Sequence, residues 1–499
     1  MKKILYILIG MIGLMGCNSE TVSNARQESS LPQIYPDYLG VTIPVNIAPL
    51  NFCMADEKAS LVDVVISDSR GHQLHSQGEE STDFDLDDWH ALLGQNRGDS
   101  LSITVSAKYD EGWHTYRSFS LYVSPDSIDY GLCYRLIAPG HEVWSKMGIY
   151  ERDLSSFDER PLIENTQFEG CVNCHSFNRG NPANMSLHIS GKHGATLLSK
   201  ADGSITAYNT KTPETLGLCV YPYWHPSGRY IAYSTNTTKQ TFHSAHPNRI
   251  EVFDEASDLQ VYDVEKNELL LSPLLKQDSV YETYPVFSAD GRSLYFCAAQ
   301  ALPLNGRGLG EGLDSIRYNL CRIDFDPTTG TFGSNIDIIV DAAAQKKSVS
   351  FPRPSYDGRF LCYTLSDYGQ FSIWHHEADL YLLDLSGEGR IRPLTQANSP
   401  DTESFHNWST NSRWLVLSSR RDDGLYTRPY FCHIDASDVA TKAFMLPQRN
   451  PHRFYRDRFL SFNVPDFVTS PSPFDGRQAS RVINDESRQN FGVRKSIEH

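Results

Sequence analysis

The chain's 499 residues exceed what one ordinary hydrophobic core organises, which admits two to four domains or a propeller that absorbs half of the sequence. With 40% hydrophobic and 21% charged residues the composition is that of a folded protein, and 26 Tyr and 24 Phe lean it toward strands. A net charge of −16 repels phosphate backbones and no Lys/Arg stripe offsets it, which argues against nucleic acid as a partner.

The first residues read MKKILYILIGMIGLMGC. Two lysines precede an apolar run, Ile4 to Met15, that falls short of the roughly 20 residues of a bilayer span, so residues 1–17 read as a cleavable export signal. Leu14-Met15-Gly16-Cys17 resembles the lipobox of bacterial lipoproteins, with Met15 in place of the small residue most common there. The resemblance implies that Cys17 becomes the lipidated first residue of the mature chain, anchored to a membrane of the cell envelope. Residues 18–36 are polar and read as a tether.

From 37 to 125 the pattern has period two. In SLSITVSAKYD, Leu101, Ile103, Val105 and Ala107 share one face, and Phe119, Leu121 and Val123 repeat the habit. A short helix is expected at DLDDWHALLGQ, with acids at its start. The block has the size of an immunoglobulin-like β-sandwich without that family's Cys and Trp landmarks. Residues 126–195 show no clean period and read as an irregular connector, with Trp144, Met147 and Tyr150 among charges. Inside it lies FEGCVNCHSFNRGNPANMSLHIS.

The rest repeats itself. YPYWHPSGRYIAY, YPVFSADGRSLYF, FPRPSYDGRFLCY and FHNWSTNSRWLVL share a leading aromatic (Tyr221, Tyr284, Phe351, Phe405) and an arginine at one offset (Arg229, Arg292, Arg359, Arg413). Three have glycine before that arginine, as a tight strand-to-strand turn requires. DLQVYDV, NLCRIDF, DLYLLDL and YFCHIDA follow in turn, completing four strands per unit. The repeats resemble the TolB-like (WD40-like) propeller, with its WSPDGRxIAY and IYxxDL signatures, over residues 196–469. The expected fold is mostly β: a sandwich, a connector and a C-terminal β-propeller of about five blades, or six. After the last copy, RFLSFNVPDF is placed to return and close the ring, and residues 470–499 read as a polar, mobile tail. His406 replaces the proline of the other copies (Pro222, Pro285, Pro352), which places it with the leading aromatics at the propeller mouth.

Cys171-Val-Asn-Cys174-His175 has the spacing at which two thiols add to one porphyrin and the next histidine meets the iron. A zinc knuckle lacks a second close ligand pair, a thioredoxin-type dithiol lacks its βαβ setting, and a disulfide over two residues is strained. An exported chain also reaches the side of the membrane where such haem is attached. The segment resembles a c-type cytochrome site. This implies covalent haem c on Cys171 and Cys174, with His175 as proximal ligand. Met185 or His188 is the distal candidate, and His193 and His141 are weaker ones. Too little chain remains for a free-standing cytochrome, so the haem is expected at a seam walled by Trp144, Met147, Phe177 and the propeller. Cys53, Cys133, Cys219, Cys297, Cys321, Cys362 and Cys432 read as buried single thiols. His375-His376-Glu377 reads as a surface loop.

Three functions compete. One is single-electron transfer by a lipid-anchored haem protein whose propeller docks a redox partner or another envelope protein. The second is a protein- or glycan-binding module with a structural or sensory haem. The third is a peroxidase-type haem enzyme, and the balance of motifs leans away from an enzyme.

Overall fold

Each aromatic-led repeat folds as one four-stranded antiparallel sheet, because its hairpins offer two apolar faces that only a stack of sheets covers. The computed structural model describes residues 20–139, 146–243, 246, 248–302, 311–387, 389–485 and 487–494. Among these, six such sheets follow one another around a ring. The inner strands are Ser461–Val468 (blade 1), Cys171–Asn178 (blade 2), Cys219–Trp224 (blade 3), Val280–Phe287 (blade 4), Ser348–Pro354 (blade 5) and Glu403–Trp408 (blade 6), each touching the next. The chain is therefore a six-bladed β-propeller.

Blade 1 joins the two ends of the propeller. Gly131–Ile137, Gly148–Asp153 and Glu159–Glu164 supply three strands, and Ser461–Val468 pairs with the first of them as the fourth. The expected count of about five thus becomes six. Residues 126–195 are not an irregular connector; they hold three strands of blade 1 and the first two of blade 2. Cys133, Ile149 and Leu187 are fully buried in strands covered on both faces, so no alternation was there to read.

Two local devices recur. Gly228, Gly291 and Gly358 take φ of +75°, +73° and +76° in the turn between the first and second strands. At Gly291 a Cβ would lie 2.0 Å from His225 Nε2, so the turn admits no side chain. Each inner strand also carries a bulge, where the leading aromatics take left-handed φ: +51° at Tyr221, +52° at Tyr284 and Phe351, and +30° at Phe405. Their rings meet in series, Tyr221 to Tyr284 at 4.6 Å, Tyr284 to Phe351 at 4.7 Å and Phe351 to Phe405 at 4.6 Å, forming a collar around the channel.

Within residues 37–125 six strands join Arg26–Gln27 in one mixed seven-stranded sheet, and Cys53–Met54 pairs apart from it in a two-stranded sheet. Helix Leu86–Gln95 is capped by Asp85, whose carboxylate accepts the Asp87 and Asp88 N–H groups at 3.0 Å, and it buries Trp89, Leu92 and Leu93. This core is continuous with Trp408, Trp414, Phe431 and Phe462 of the propeller. The expected tether is also tied down: Arg26–Gln27 pairs with Gly112–Thr115, and Ile34–Tyr35 with Cys53–Met54. The expected mobile tail holds helix Gly476–Asn484, which buries Ala479 and Ile483, and two short strands on the edges of blades 2 and 3. Phe491 between those strands stacks on Tyr262 at 3.8 Å. A polar average hid these few apolar anchors. Cys17 and the export signal lie outside the described residues.

Candidate cofactor-attachment site

The Cys-x-x-Cys-His motif is the start of blade 2's inner strand, Cys171–Asn178, and not part of a connector before the propeller. Its bulge lies between Val172 and His175, where blade 3 has Tyr221 and Pro222. Asn173 and Cys174 thus stand where a repeat would place an aromatic and a proline. In blade 1 the bulge position is Val464, with φ of +51°. The aromatic collar is therefore interrupted at blades 1 and 2, next to the motif.

Asn173 is fixed from both sides: its Oδ1 accepts Arg135 Nη1 at 2.8 Å and its Nδ2 donates to Ser190 Oγ at 2.7 Å. Cys171 and Cys174 are half-buried. Burial raises the Cys174 thiol, against the pull of the Tyr221 N–H and the Arg135 guanidinium. His175 is 3% exposed, and its ring meets Phe177 edge-on at 5.8 Å. Burial, and then Arg135, lower its pKa to about 3, so the imidazole is neutral, the form that binds a metal. Although the Cys133 carbonyl lies close enough to favour the ring slightly, neither nitrogen of His175 makes a hydrogen bond of acceptable geometry.

The expected distal ligands are elsewhere. Met185 is fully buried in the apolar layer with Phe177, Leu187 and Ile189, and His188 sits opposite the bulge with Nδ1 3.4 Å from Thr196 Oγ1. Neither lines the cavity beside His175. His406 does, from blade 6, along with Tyr223, Arg353 and Asp466. It is 2% exposed, burial lowers its pKa to about 3, and neither ring nitrogen is bonded. His141 and Trp144 lie outside the described residues. Of the expected walls, Phe177 lines the cavity while Met147 is buried outside its lining.

The donor set matches a covalently held porphyrin, with two half-buried thiols and an imidazole without a hydrogen bond in one motif. The enclosed space does not. The cavity holds about 40 Å³, enough for one or two waters, whereas pockets for sizeable ligands take roughly 300–1,000 Å³. A porphyrin on Cys171 and Cys174 therefore requires the inner strand of blade 2 to shift. Among the described residues no three His, Cys, Asp or Glu converge as a metal cage.

Two acidic features escaped the sequence. His375 is not in a surface loop: it is 1% exposed, with Nε2 3.1 Å from Glu251 Oε2 and Nδ1 3.4 Å from Glu377 Oε1. Glu251 is carried by the long hairpin of blade 3 (Tyr230–Phe242 and Ile250–Asp263) and also accepts the Tyr368 hydroxyl at 2.5 Å, so blade 3 is latched to blade 5 across blade 4. Glu282 is 1% exposed with neither oxygen bonded, and burial followed by Asp258 pushes its pKa up to about 9. A carboxyl raised on folding binds its proton better in the folded chain, so its cost appears as pH rises from about 4.5 and is complete above about 9. Glu282→Gln is expected to raise the melting temperature at pH 9 by about 2–4 °C per kcal/mol relieved, and to leave it unchanged at pH 4. Equal effects at both pH values would refute a neutral Glu282.

No protein-family model and no curated protein matches the chain. Solved structures resemble the chain at low similarity. An oligogalacturonate lyase in complex with manganese is 14% identical with a TM-score of 0.35, over 64% of this chain and 74% of that one. A prolyl endopeptidase is 12% identical with a TM-score of 0.35, and the match covers 63% of this chain but 42% of the peptidase. A TolB-assigned protein from Agrobacterium tumefaciens is 14% identical with a TM-score of 0.24, over 54% of this chain and 89% of that one. The blade count rests on strand pairing, and none of these likenesses carries a functional argument.

Proposed function

We propose that the chain is an exported, lipid-anchored c-type haem protein of the cell envelope that passes single electrons. Cys171 and Cys174 would hold haem c, His175 would be its proximal ligand, and Cys17 would carry the lipid. The propeller would dock the redox partner. The observation that carries this reading is His175: an imidazole 3% exposed, with neither nitrogen hydrogen-bonded, directly following the second thiol of the motif. Burying such a ring without a partner costs free energy that a ligand to it would recover. When bound, the haem supplies a reversible one-electron couple. The chain's own residues supply its attachment, a dry surrounding and, through Asn173 and Arg135, a fixed bulge.

The full chain, made in a host that matures c-type haem, is expected to retain haem through denaturing electrophoresis. Cys171→Ala with Cys174→Ala is expected to lose all of it, and His175→Ala to keep it with a shifted Soret band. Because the cavity is too small, amide exchange over 171–178 is expected to differ between haem-free and haem-loaded chains. Absence of retained haem in the unaltered chain would overturn the proposal.

A further inference from the structure

The channel has a second mouth, at the end where the inner strands begin. A pocket of about 160 Å³ lies there, lined by Arg135, Arg420, Trp374, Phe371, Gln240 and Asn463 among others, and among the described residues no carboxylate lines it. Arg420 is 2% exposed; its Nε donates to the Ile373 carbonyl at 2.6 Å, and its guanidinium lies 3.5 Å over the Trp374 ring. Arg135 has Nη1 on Asn173, while its buried Nε has no partner.

Among the described residues neither arginine is within ion-pair distance of an acid; Asp401 and Asp423 reach Arg420 only at longer range. Of the other two buried arginines, Arg428 has Asp423 at 3.8 Å, while Arg152 is held by the carbonyls of Asp153 and Pro447. Burial lowers Arg135 and brings Arg420 down to about 9, the mark of a cation taken out of water without a counterion. Guanidinium forks match the two oxygens of a carboxylate, and the aromatic wall keeps water from weakening the pairing.

We infer that this mouth is a binding site for an organic carboxylate held between Arg135 and Arg420. The chemistry has two sources: a free organic acid, or the propionate groups of a haem on Cys171 and Cys174, in which case the inference rests on the function proposed above. Arg135 touches Asn173, between the two cysteines, so the second source is within reach of the same pocket.

Acetate, succinate and citrate, with succinamide as the neutral control, would be titrated calorimetrically at low salt into the full chain produced without haem maturation. At least one acid is expected to bind and succinamide is not. Arg135→Gln and Arg420→Gln are each expected to weaken binding about tenfold, the loss of one charge-assisted contact. Arg420 also holds backbone carbonyls, so Arg135→Lys provides a second measure, expected to keep part of the affinity that Arg135→Gln removes. Equal affinity in the haem-loaded chain assigns the site to a free acid; loss of binding there assigns it to the propionates. Either result upholds the carboxylate site. It is overturned if none of the three acids binds the haem-free chain, or if Arg135→Gln binds as tightly as the unaltered chain.

Discussion

A chain ending at Arg458 is expected not to fold its propeller. The missing strand, Ser461–Val468, is the inner strand of blade 1 and closes the ring onto Gly131–Ile137. It buries Phe462, Phe467 and Val468 completely, and Thr427 and Ser418 bond to the Phe462 carbonyl. Losing one buried aromatic costs about 3–5 kcal/mol, and two of them with the strand's hydrogen bonds exceed the roughly 5–15 kcal/mol that separates most folded chains from unfolded ones. Truncation after Thr469 is the control. It removes helix Gly476–Asn484 and the Phe491 stack but leaves the ring closed, and is expected to lower the melting temperature while keeping one cooperative transition. Near-ultraviolet circular dichroism during heating distinguishes the two. A cooperative transition in the shorter chain would show that blade 1 does not depend on its C-terminal strand.

The second large effect is expected at the latch between blades 3 and 5. Burial alone would pull His375 down, but the carboxylates of Glu251 and Glu377 outweigh it and raise the pKa to about 9, while Glu251 is held below its ordinary value chiefly by His375, against its own burial. Breaking a buried pair by removing one partner costs about 3–5 kcal/mol, because the other charge is left without compensation. His375→Ala is thus expected to lose about that much stability at pH 6, with the hairpin around Glu251 exchanging its amides faster. The sign of the pH dependence follows from a pKa that is higher folded than unfolded. The stabilisation is whole below about 6.5 and disappears as pH rises through about 9. His375→Ala and the unaltered chain should then converge in stability at pH 10. A gap that stays constant from pH 6 to pH 10 would mean that packing, not charge, holds the latch.

Much of the ring was legible where a blade is built from consecutive residues. The leading aromatics of blades 3 to 6 take left-handed bulges, and the glycines before Arg229, Arg292 and Arg359 take the turn conformation that made them stand out. The seven single cysteines outside the motif are buried and unbridged, as their spacing suggested. Of blade 1 only the closing strand in RFLSFNVPDF left a trace, since its other three strands precede it by five whole blades. Blade 2 was hidden differently: Asn173-Cys174 replaces the aromatic-proline pair, so its inner strand read as part of a connector. Arg135 in CYRLIAP was visible as a charge inside an apolar strand, a sign that went unused.

By itself the sequence determined the type of unit, a four-stranded blade, and the donor set of Cys171, Cys174 and His175, because turns, bulges and attachment motifs are local and depend on residues a few positions apart. Which strands the closing segment joins, that the motif is an inner strand, that His406 rather than Met185 or His188 shares the cavity of His175, and that Arg135 faces the same mouth as Arg420 were decided only by the tertiary structure. Those contacts join residues far apart in the chain. Their partners are chosen by the burial of whole sheet faces against one another, which no local pattern records.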